Sequence, residues 1–201
     1  GLKYTGEFAS LFGTINGDGM ENLNIEDAFG GYAELKYEKE DWTWKPEIGY
    51  AFSFASGDDD PNDGDAETFD QIYPLAHAYL GFIDFQGWQN VVSHEFSVSV
   101  KPLKKMLAKV DFHFFEQDNE NDAWYGVSGA PNGGFTAAAT SAVDADDEIG
   151  QEVDVTLKYQ FFDCLNTAVG YSHFFAGDMI DDVTGNDDGA DWVYLMTSIK
   201  F

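Results

Sequence analysis

Arginine is absent from this sequence, and the ten basic residues are all lysines. They are outnumbered by 37 acidic residues, so the formal net charge at pH 7 is −27 with histidine neutral. Nucleic-acid binding relies on Lys and Arg side chains that neutralise phosphates. A chain this acidic is therefore not expected to bind DNA or RNA.

Cysteine and long apolar runs are also scarce. Cys164 stands alone, so no internal disulfide can form. The most apolar stretch, residues 73–85, is interrupted by polar residues, Pro and Gly, and falls short of the roughly 18–20 apolar residues of a transmembrane helix. Yet 44% of the residues are hydrophobic and 16% are aromatic, which excludes wholesale disorder. If this chain enters a membrane, it crosses with strands.

Recognisable catalytic motifs are lacking too. The sequence contains no GxSxG, HExxH or P-loop pattern. Its histidines, none of which has a second His or Cys at zinc-ligand spacing, are His77, His94, His113 and His173. The sequence therefore predicts that the protein is not an enzyme.

Two-residue periodicity is abundant, and it is the pattern of a sheet with two different faces. Large apolar side chains alternate with small, polar or charged ones in segments of about the 9–11 residues that a tilted strand needs to cross a bilayer. The eight predicted strands are residues 2–12, 29–38, 42–54, 92–100, 108–115, 152–159, 165–175 and 193–201.

The connections between these strands are alternately long and short. The long ones are rich in Gly, Asn and Asp and cover residues 13–28, 56–90, 117–148 and 177–190. The short ones are residues 39–41, 102–105 and 162–164. Outer-membrane barrels have short periplasmic turns and longer extracellular loops. The alternation therefore predicts a protein of the bacterial outer membrane, in contact with its lipid.

These patterns predict an all-β fold: a transmembrane antiparallel up-and-down β-barrel, with about eight strands in a single domain over residues 1–201. Side chains just fill the interior of an eight-stranded barrel. Many inward positions here are Gly, Ala or Ser, so we expect a larger parent barrel of about 16–18 strands. A complete eight-stranded barrel is the alternative. The acidic loop 56–90 is expected to fold over or into the pore, or to form a cap without a gating role.

That loop also contains the densest group of oxygen ligands, Asp58, Asp60, Asn62 and Asp63, which is the ligand type that Ca²⁺ prefers. The EF-hand template is not met, because the twelfth position counted from Asp58 is Phe69 rather than Glu. A calcium site and a solvated cluster of turn residues remain the two alternatives. No other cofactor is expected.

Several segments, taken in order, resemble the alginate export family of outer-membrane barrels. They are GDDDPND at 57–63, FDQIYPLAHAYLGFID at 69–84, DAWY at 122–125, GQEVD at 150–154, GYSHFFAG at 170–177 and WVY at 192–194. The resemblance implies a monomeric barrel with more than eight strands and a lumen through which a solute passes. It also implies that this chain is the C-terminal half of that barrel.

Charged residues at predicted inward positions are expected to line the pore. They are Glu34, Lys36, Lys45, Glu47, Glu95, Lys109, Asp111, Glu152, Asp154 and Lys158. An alginate pore is expected to carry Arg, because each uronate carboxylate needs a cationic partner. With no Arg in this chain, a cationic or neutral solute fits better, unless the missing half supplies positive charge.

The predicted function is therefore an outer-membrane channel, or porin, for small solutes or an exported polysaccharide. The alternative is a structural barrel that acts as a scaffold or sheath for a partner protein at the outer membrane or in the periplasm.

Overall fold

The computed structural model describes residues 1–15, 23–73, 75–143 and 145–200, which form one β-sheet with short helices in its loops. The strands are β1 (Leu2–Ile15), β2 (Leu23–Glu38), β3 (Glu47–Ala55), β4 (Asp65–Ala66), β5 (Val91–Val100), β6 (Met106–Glu116), β7 (Glu148–Phe162), β8 (Leu165–Ala176) and β9 (Ala190–Ile199). The helices are α1 (Ala137–Val143), α2 (Asp178–Thr184) and a single 3₁₀ turn (Ala76–Ala78).

The eight long strands pair in chain order, each antiparallel to the next. The two-residue strand β4 lies off this path and pairs in parallel with the start of β2. Within the described residues β1 and β9 do not pair, so the sheet is open. The predicted all-β antiparallel meander is confirmed, and the sheet is consistent with part of a barrel. A closed eight-stranded barrel is not what these strands form.

The start of β3 differs from the prediction. The strand begins at Glu47, whereas the alternation had placed Trp42 and Trp44 within it. Trp44 (φ 68°) and Lys45 (φ 45°) have left-handed backbone, which turns the chain, and Pro46 has no N–H to give to a strand partner. The short connection therefore extends over residues 39–46.

The first two strands are longer than predicted, since β1 reaches Ile15 and β2 begins at Leu23. Of the predicted loop 13–28, residues 16–22 lie outside the described residues. The connections 56–90, 117–147 and 177–189 are long, and those at 39–46, 101–105 and 163–164 are short. The long loops thus lie at one end of the strands and the short turns at the other end.

The two faces of the sheet have the opposite polarity to those of a water-soluble protein. The outer face, which includes Leu35, Phe96, Phe112, Leu157 and Val169, leaves large apolar side chains 36–51% exposed. The inner face buries polar side chains instead, among them Ser53, Glu95, Asp111, Glu152, Asp154 and Ser172. Exposed apolar area of this extent is rare on soluble monomers and marks contact with lipid or another apolar surface.

A small apolar core lies at the long-loop end of the sheet. Leu80, Trp124 and Met179 come from three different long connections and pack with Phe115 and Ile149 at the ends of β6 and β7. All five are almost completely buried. The core therefore holds the long loops together over one mouth of the sheet and leaves the short-turn end open.

Candidate functional site

The strand register assembles the charged inward residues on one face. Glu34 is joined through Ala51 to Glu95 in successive strand pairs, and Glu95 is joined through His113 to Glu152. Directly paired residues project from the same side of a sheet. Residues that are far apart in the sequence thus share one polar surface.

Charges are closely matched where the inner face meets the short turns. Lys3 Nζ lies 2.8 Å from Glu47 Oε2 and 3.2 Å from Glu38 Oε2. Lys101 forms an ion pair with the other oxygen of Glu38, whose side chain is buried. Two lysines therefore neutralise two carboxylates at this end of β1, β2 and β3.

Farther along the inner face, Lys109 joins two buried carboxylates. Its Nζ lies 2.7 Å from Asp111 Oδ1 and 3.5 Å from Glu95 Oε1. These groups come from β5 and β6, whose alternation turns each of them to the same side. Lys109 is thus the ion-pair partner of both carboxylates, so their negative charge is only partly neutralised.

A second cluster on the same face centres on Asp154. His113 Nε2 lies 3.3 Å from Asp154 Oδ2, and the Ser172 hydroxyl donates to Asp154 Oδ1. All three side chains are buried. No acceptor or donor meets His113 Nδ1 in the described part of the chain. A serine beside an aspartate does not make a catalytic triad, because in a triad the histidine contacts the nucleophile.

Part of the second long connection turns inward and lies against this face; residues 79–88 are called the inward segment. The backbone N–H groups of Phe82 and Ile83 donate to Glu152 Oε1 at 2.6 and 3.0 Å. The Phe82 ring stacks on Tyr194 of β9, with ring centroids 4.8 Å apart and planes 12° apart. One carboxylate and one aromatic stack thus fix the middle of the segment.

The same segment also contacts the opposite side of the sheet. The Tyr79 ring meets Tyr32 of β2 edge-on at 4.8 Å, and Trp88 Nε1 donates to the Phe54 carbonyl at 3.1 Å. The segment therefore spans the inner face from β2 to β9. The sequence did not predict these contacts. Its only indication of them was the two-residue alternation, which places Tyr32 and Tyr194 on the inner face.

The Asp122 side chain connects two of the long loops. Its carboxylate accepts hydrogen bonds from Thr68 Oγ1 (2.6 Å), the Asp58 N–H (3.1 Å) and the Tyr125 hydroxyl (2.8 Å). Burial raises the pKa of the Tyr125 hydroxyl, which keeps it a donor at neutral pH. The sequence analysis did not select Asp122 as a site residue, although Asp122 begins the segment DAWY that resembles the family.

Nine of the ten predicted lining residues project from the inner face of a strand. They are Glu34, Lys36, Glu47, Glu95, Lys109, Asp111, Glu152, Asp154 and Lys158. Lys45 lies instead in the turn before β3, where it is exposed. Lys101, which sequence reasoning did not select, reaches Glu38 from its own short turn.

The predicted calcium ligands do not come together as a set of four. The oxygens within 4.8 Å of one another belong to Asp58, Asp59 and Glu67. Asp60 Oδ1 accepts the Asn62 N–H at 3.2 Å and thus caps a turn, as Asp63 does for Asp65. Burial raises the pKa of the Asp58 and Glu67 carboxyls. Calcium binding by this loop therefore stays a prediction from the sequence.

The other histidines are separated in space. His94 Nδ1 is 2.8 Å from the Tyr50 hydroxyl, and His173 Nδ1 is 2.9 Å from Asp191, both on the outer face. His77 pairs with Asp84 inside the second long connection. None of them shares a cluster with the buried His113.

These features define a class of protein: an antiparallel barrel-type sheet with a lipid-compatible outer face and a charged, partly covered inner face. The sequence profile of the alginate export family matches residues 1–193, and the chain belongs to this family. It is a family of outer-membrane transport porins rather than of enzymes. No curated protein gives a significant match to the chain. Among the described residues, no helix is long and apolar enough to cross a membrane.

Proposed function

We propose that the inner face of this sheet is part of the wall of an outer-membrane channel for small solutes or an exported polysaccharide. The observation that carries the proposal is the polarity of the two faces: Phe96 and Val155 are exposed while their sequence neighbours Glu95 and Asp154 are buried. A charged face is costly against lipid and favourable against water, so the sheet belongs with its inner face around an aqueous lumen.

The inward segment is the constriction of that channel in this proposal. Support comes from its contacts with Tyr32, Glu152 and Tyr194, which carry it across the inner face. A loop held by hydrogen bonds and ring stacking reduces the free cross-section beside it. The width of the channel would then depend on the strength of the hydrogen bonds from the Phe82 and Ile83 N–H groups to Glu152.

The charge of the inner face favours a cationic or neutral solute. Beside the constriction, the carboxylates of Glu95, Asp111, Glu152 and Asp154 face one lysine, Lys109. An excess of one sign in a narrow, low-dielectric passage concentrates ions of the opposite sign. A polyanion would be repelled by these carboxylates at the constriction.

Single-channel recording of the full-length protein in planar lipid bilayers tests the proposal. We expect discrete conductance steps with a preference for K⁺ over Cl⁻. In Glu152→Ala two amides lose their acceptor, which costs about 1–3 kcal/mol for each unsatisfied group, so the open-channel conductance should rise. Glu152→Gln keeps a side-chain oxygen as acceptor and is the matched control, with a smaller rise.

Absence of any conductance step from correctly folded protein would contradict the channel. A protein partner that co-purifies in stoichiometric amount and fills the lumen would indicate the scaffold role instead. Unchanged conductance in Glu152→Ala, with steps present, would reject the constriction alone.

A further inference from the structure

Lysine is confined to one end of this sheet. Five lysines lie in the short turns, at 39, 45, 101, 104 and 105. The other five lie in strands or just past them, always toward the short-turn end: Lys3, Lys36, Lys109, Lys158 and Lys200. The long connections contain no lysine. Every lysine side chain is therefore at or near the end of the sheet that carries the short turns.

Most carboxylates lie toward the opposite end, although Glu38, Glu47 and Asp163 pair with lysines at the short turns. The long connections carry most of the acidic residues, including Asp58, Asp70, Asp84, Asp122 and Asp182, with no positive side chain in the same loops to offset them. The buried Glu152 and Asp154 extend this negative charge onto the inner face. Negative charge thus dominates from the long-loop mouth to the middle of the wall.

The lysines at the short-turn end border an open cavity on the inner face. The cavity has a volume of about 640 Å³, and Lys101, Lys104, Lys105 and Lys158 are among its lining residues. Lys101 and Lys105 are paired with Glu38 and Asp163. Lys104 and Lys158 have no ion-pair partner within the described ranges. Two unneutralised positive charges therefore face the lumen side of this mouth.

From this charge separation we infer that the channel conducts ions asymmetrically, with more current when the long-loop side is electrically positive. The inference rests on the proposed channel function. A negative section attracts cations and a positive section attracts anions. When the long-loop side is positive, cations enter through the acidic mouth while anions enter through the lysine mouth, and both accumulate at the junction. The reverse voltage withdraws both and leaves the junction depleted.

Salt concentration sets the size of the effect. The Debye length is about 10 Å at 0.1 M salt and about 3 Å at 1 M, so wall charges control a lumen of molecular width only in dilute salt. We expect the current ratio at opposite voltages to be about two at 0.1 M KCl and about one at 1 M. Rectification that is independent of salt would have a different cause.

The test uses the full-length protein in planar bilayers, with its orientation fixed by one-sided addition and checked by one-sided proteolysis of the long loops. Lys104→Gln combined with Lys158→Gln removes the two unpaired charges and should reduce the ratio at 0.1 M KCl toward one. Lys39→Gln is the control: it removes one positive charge at the same end, but Lys39 pairs with Asp41 in a turn and does not line the cavity. Its ratio should stay near that of the wild type.

Conductance steps with a ratio of one at 0.1 M KCl would overturn this inference and leave the channel intact. A larger current with the long-loop side negative would overturn it as well. So would a double variant that rectifies as strongly as the Lys39→Gln control. A complete lack of conductance would instead contradict the proposed function itself.

Discussion

Individual side chains in the long loops show how this chain tolerates its acidity. The Asp122 carboxylate accepts four hydrogen bonds, from the Thr68 and Tyr125 hydroxyls and from the backbone N–H groups of Asp58 and Ala123, so its buried charge is well solvated by the protein. Asp58 accepts one, from the Asp60 N–H. Burial raises the pKa of the Asp58 carboxyl above its ordinary value of 3.8, and the charge of Asp122 adds to the increase. A buried carboxylate in these loops is thus more stable when more hydrogen-bond donors contact it.

The charge of Asp58 is expected to destabilise residues 57–68 at neutral pH. Because the folded loop favours protonated Asp58, the stability from this group is fully present below the unfolded pKa and is lost as the pH rises through the higher folded pKa. Asp58→Asn keeps an oxygen for the Asp60 N–H and removes the charge. Hydrogen exchange of the loop amides should therefore be slower in Asp58→Asn than in wild type at pH 7, and equal below the unfolded pKa.

The matched control is Asp63→Asn, since Asp63 is an exposed carboxylate that likewise accepts one backbone N–H, from Asp65. It should leave exchange nearly unchanged at both pH values. Faster exchange in Asp58→Asn at pH 7 would show that the charge of Asp58 stabilises the loop rather than strains it.

At the scale of strands, neighbouring residues have opposite environments. Val169 projects from the outer face of β8 and is 42% exposed, while Ala168 projects inward and borders the short-turn cavity. The two positions are adjacent in sequence and equally deep in the sheet. They therefore isolate the effect of the face from the effect of depth.

Arginine substitution at this pair separates lipid from water. Val169→Arg should destabilise the folded protein in lipid by about 2–4 kcal/mol, because a charge on the lipid face near the bilayer middle is costly. Ala168→Arg should cost less than about 1 kcal/mol, since its head group reaches the open cavity. Urea unfolding in lipid vesicles measures both values. Equal costs at the two positions would contradict the assignment of the faces.

Alternation was sufficient to predict most of the strands and their inward residues, because side-chain direction in a strand depends only on local spacing. It misplaced the start of β3, since Trp42 and Trp44 continue the period through a turn that Pro46 and two left-handed residues produce. Alternation describes side-chain order, and it does not detect where hydrogen-bonded pairing stops.

The sequence predicted that loop 56–90 folds over or into the pore or forms a cap, but the contacts of the inward segment could not be predicted from local patterns. Its contact between Phe82 and Glu152 joins residues 70 positions apart, and no spacing rule connects a loop amide with a strand carboxylate. The sequence indicated that loop 56–90 lacks a spanning strand, and β4 with its two residues agrees. The partners of the loop follow from three-dimensional packing alone.

The whole molecule has two asymmetries. Across the sheet, apolar side chains are exposed outside and charged ones are buried inside. Along the strands, lysines gather at the short turns and carboxylates at the long loops. The first fits a sheet that spans the outer membrane, as expected for the alginate export family, and the second gives the proposed channel a preferred direction of current.

The most direct test of which face of the sheet contacts lipid is a nitroxide accessibility measurement on the full-length protein in lipid vesicles. Cys164, which is exposed, is first replaced by Ser, and labels are then attached at positions 157, 158, 168 and 169. Labels at 157 and 169 should collide with oxygen, which dissolves in lipid, and those at 158 and 168 with a water-soluble nickel complex. Reversed or uniform accessibility at these four positions would contradict the claim that the outer face contacts lipid and the inner face contacts water.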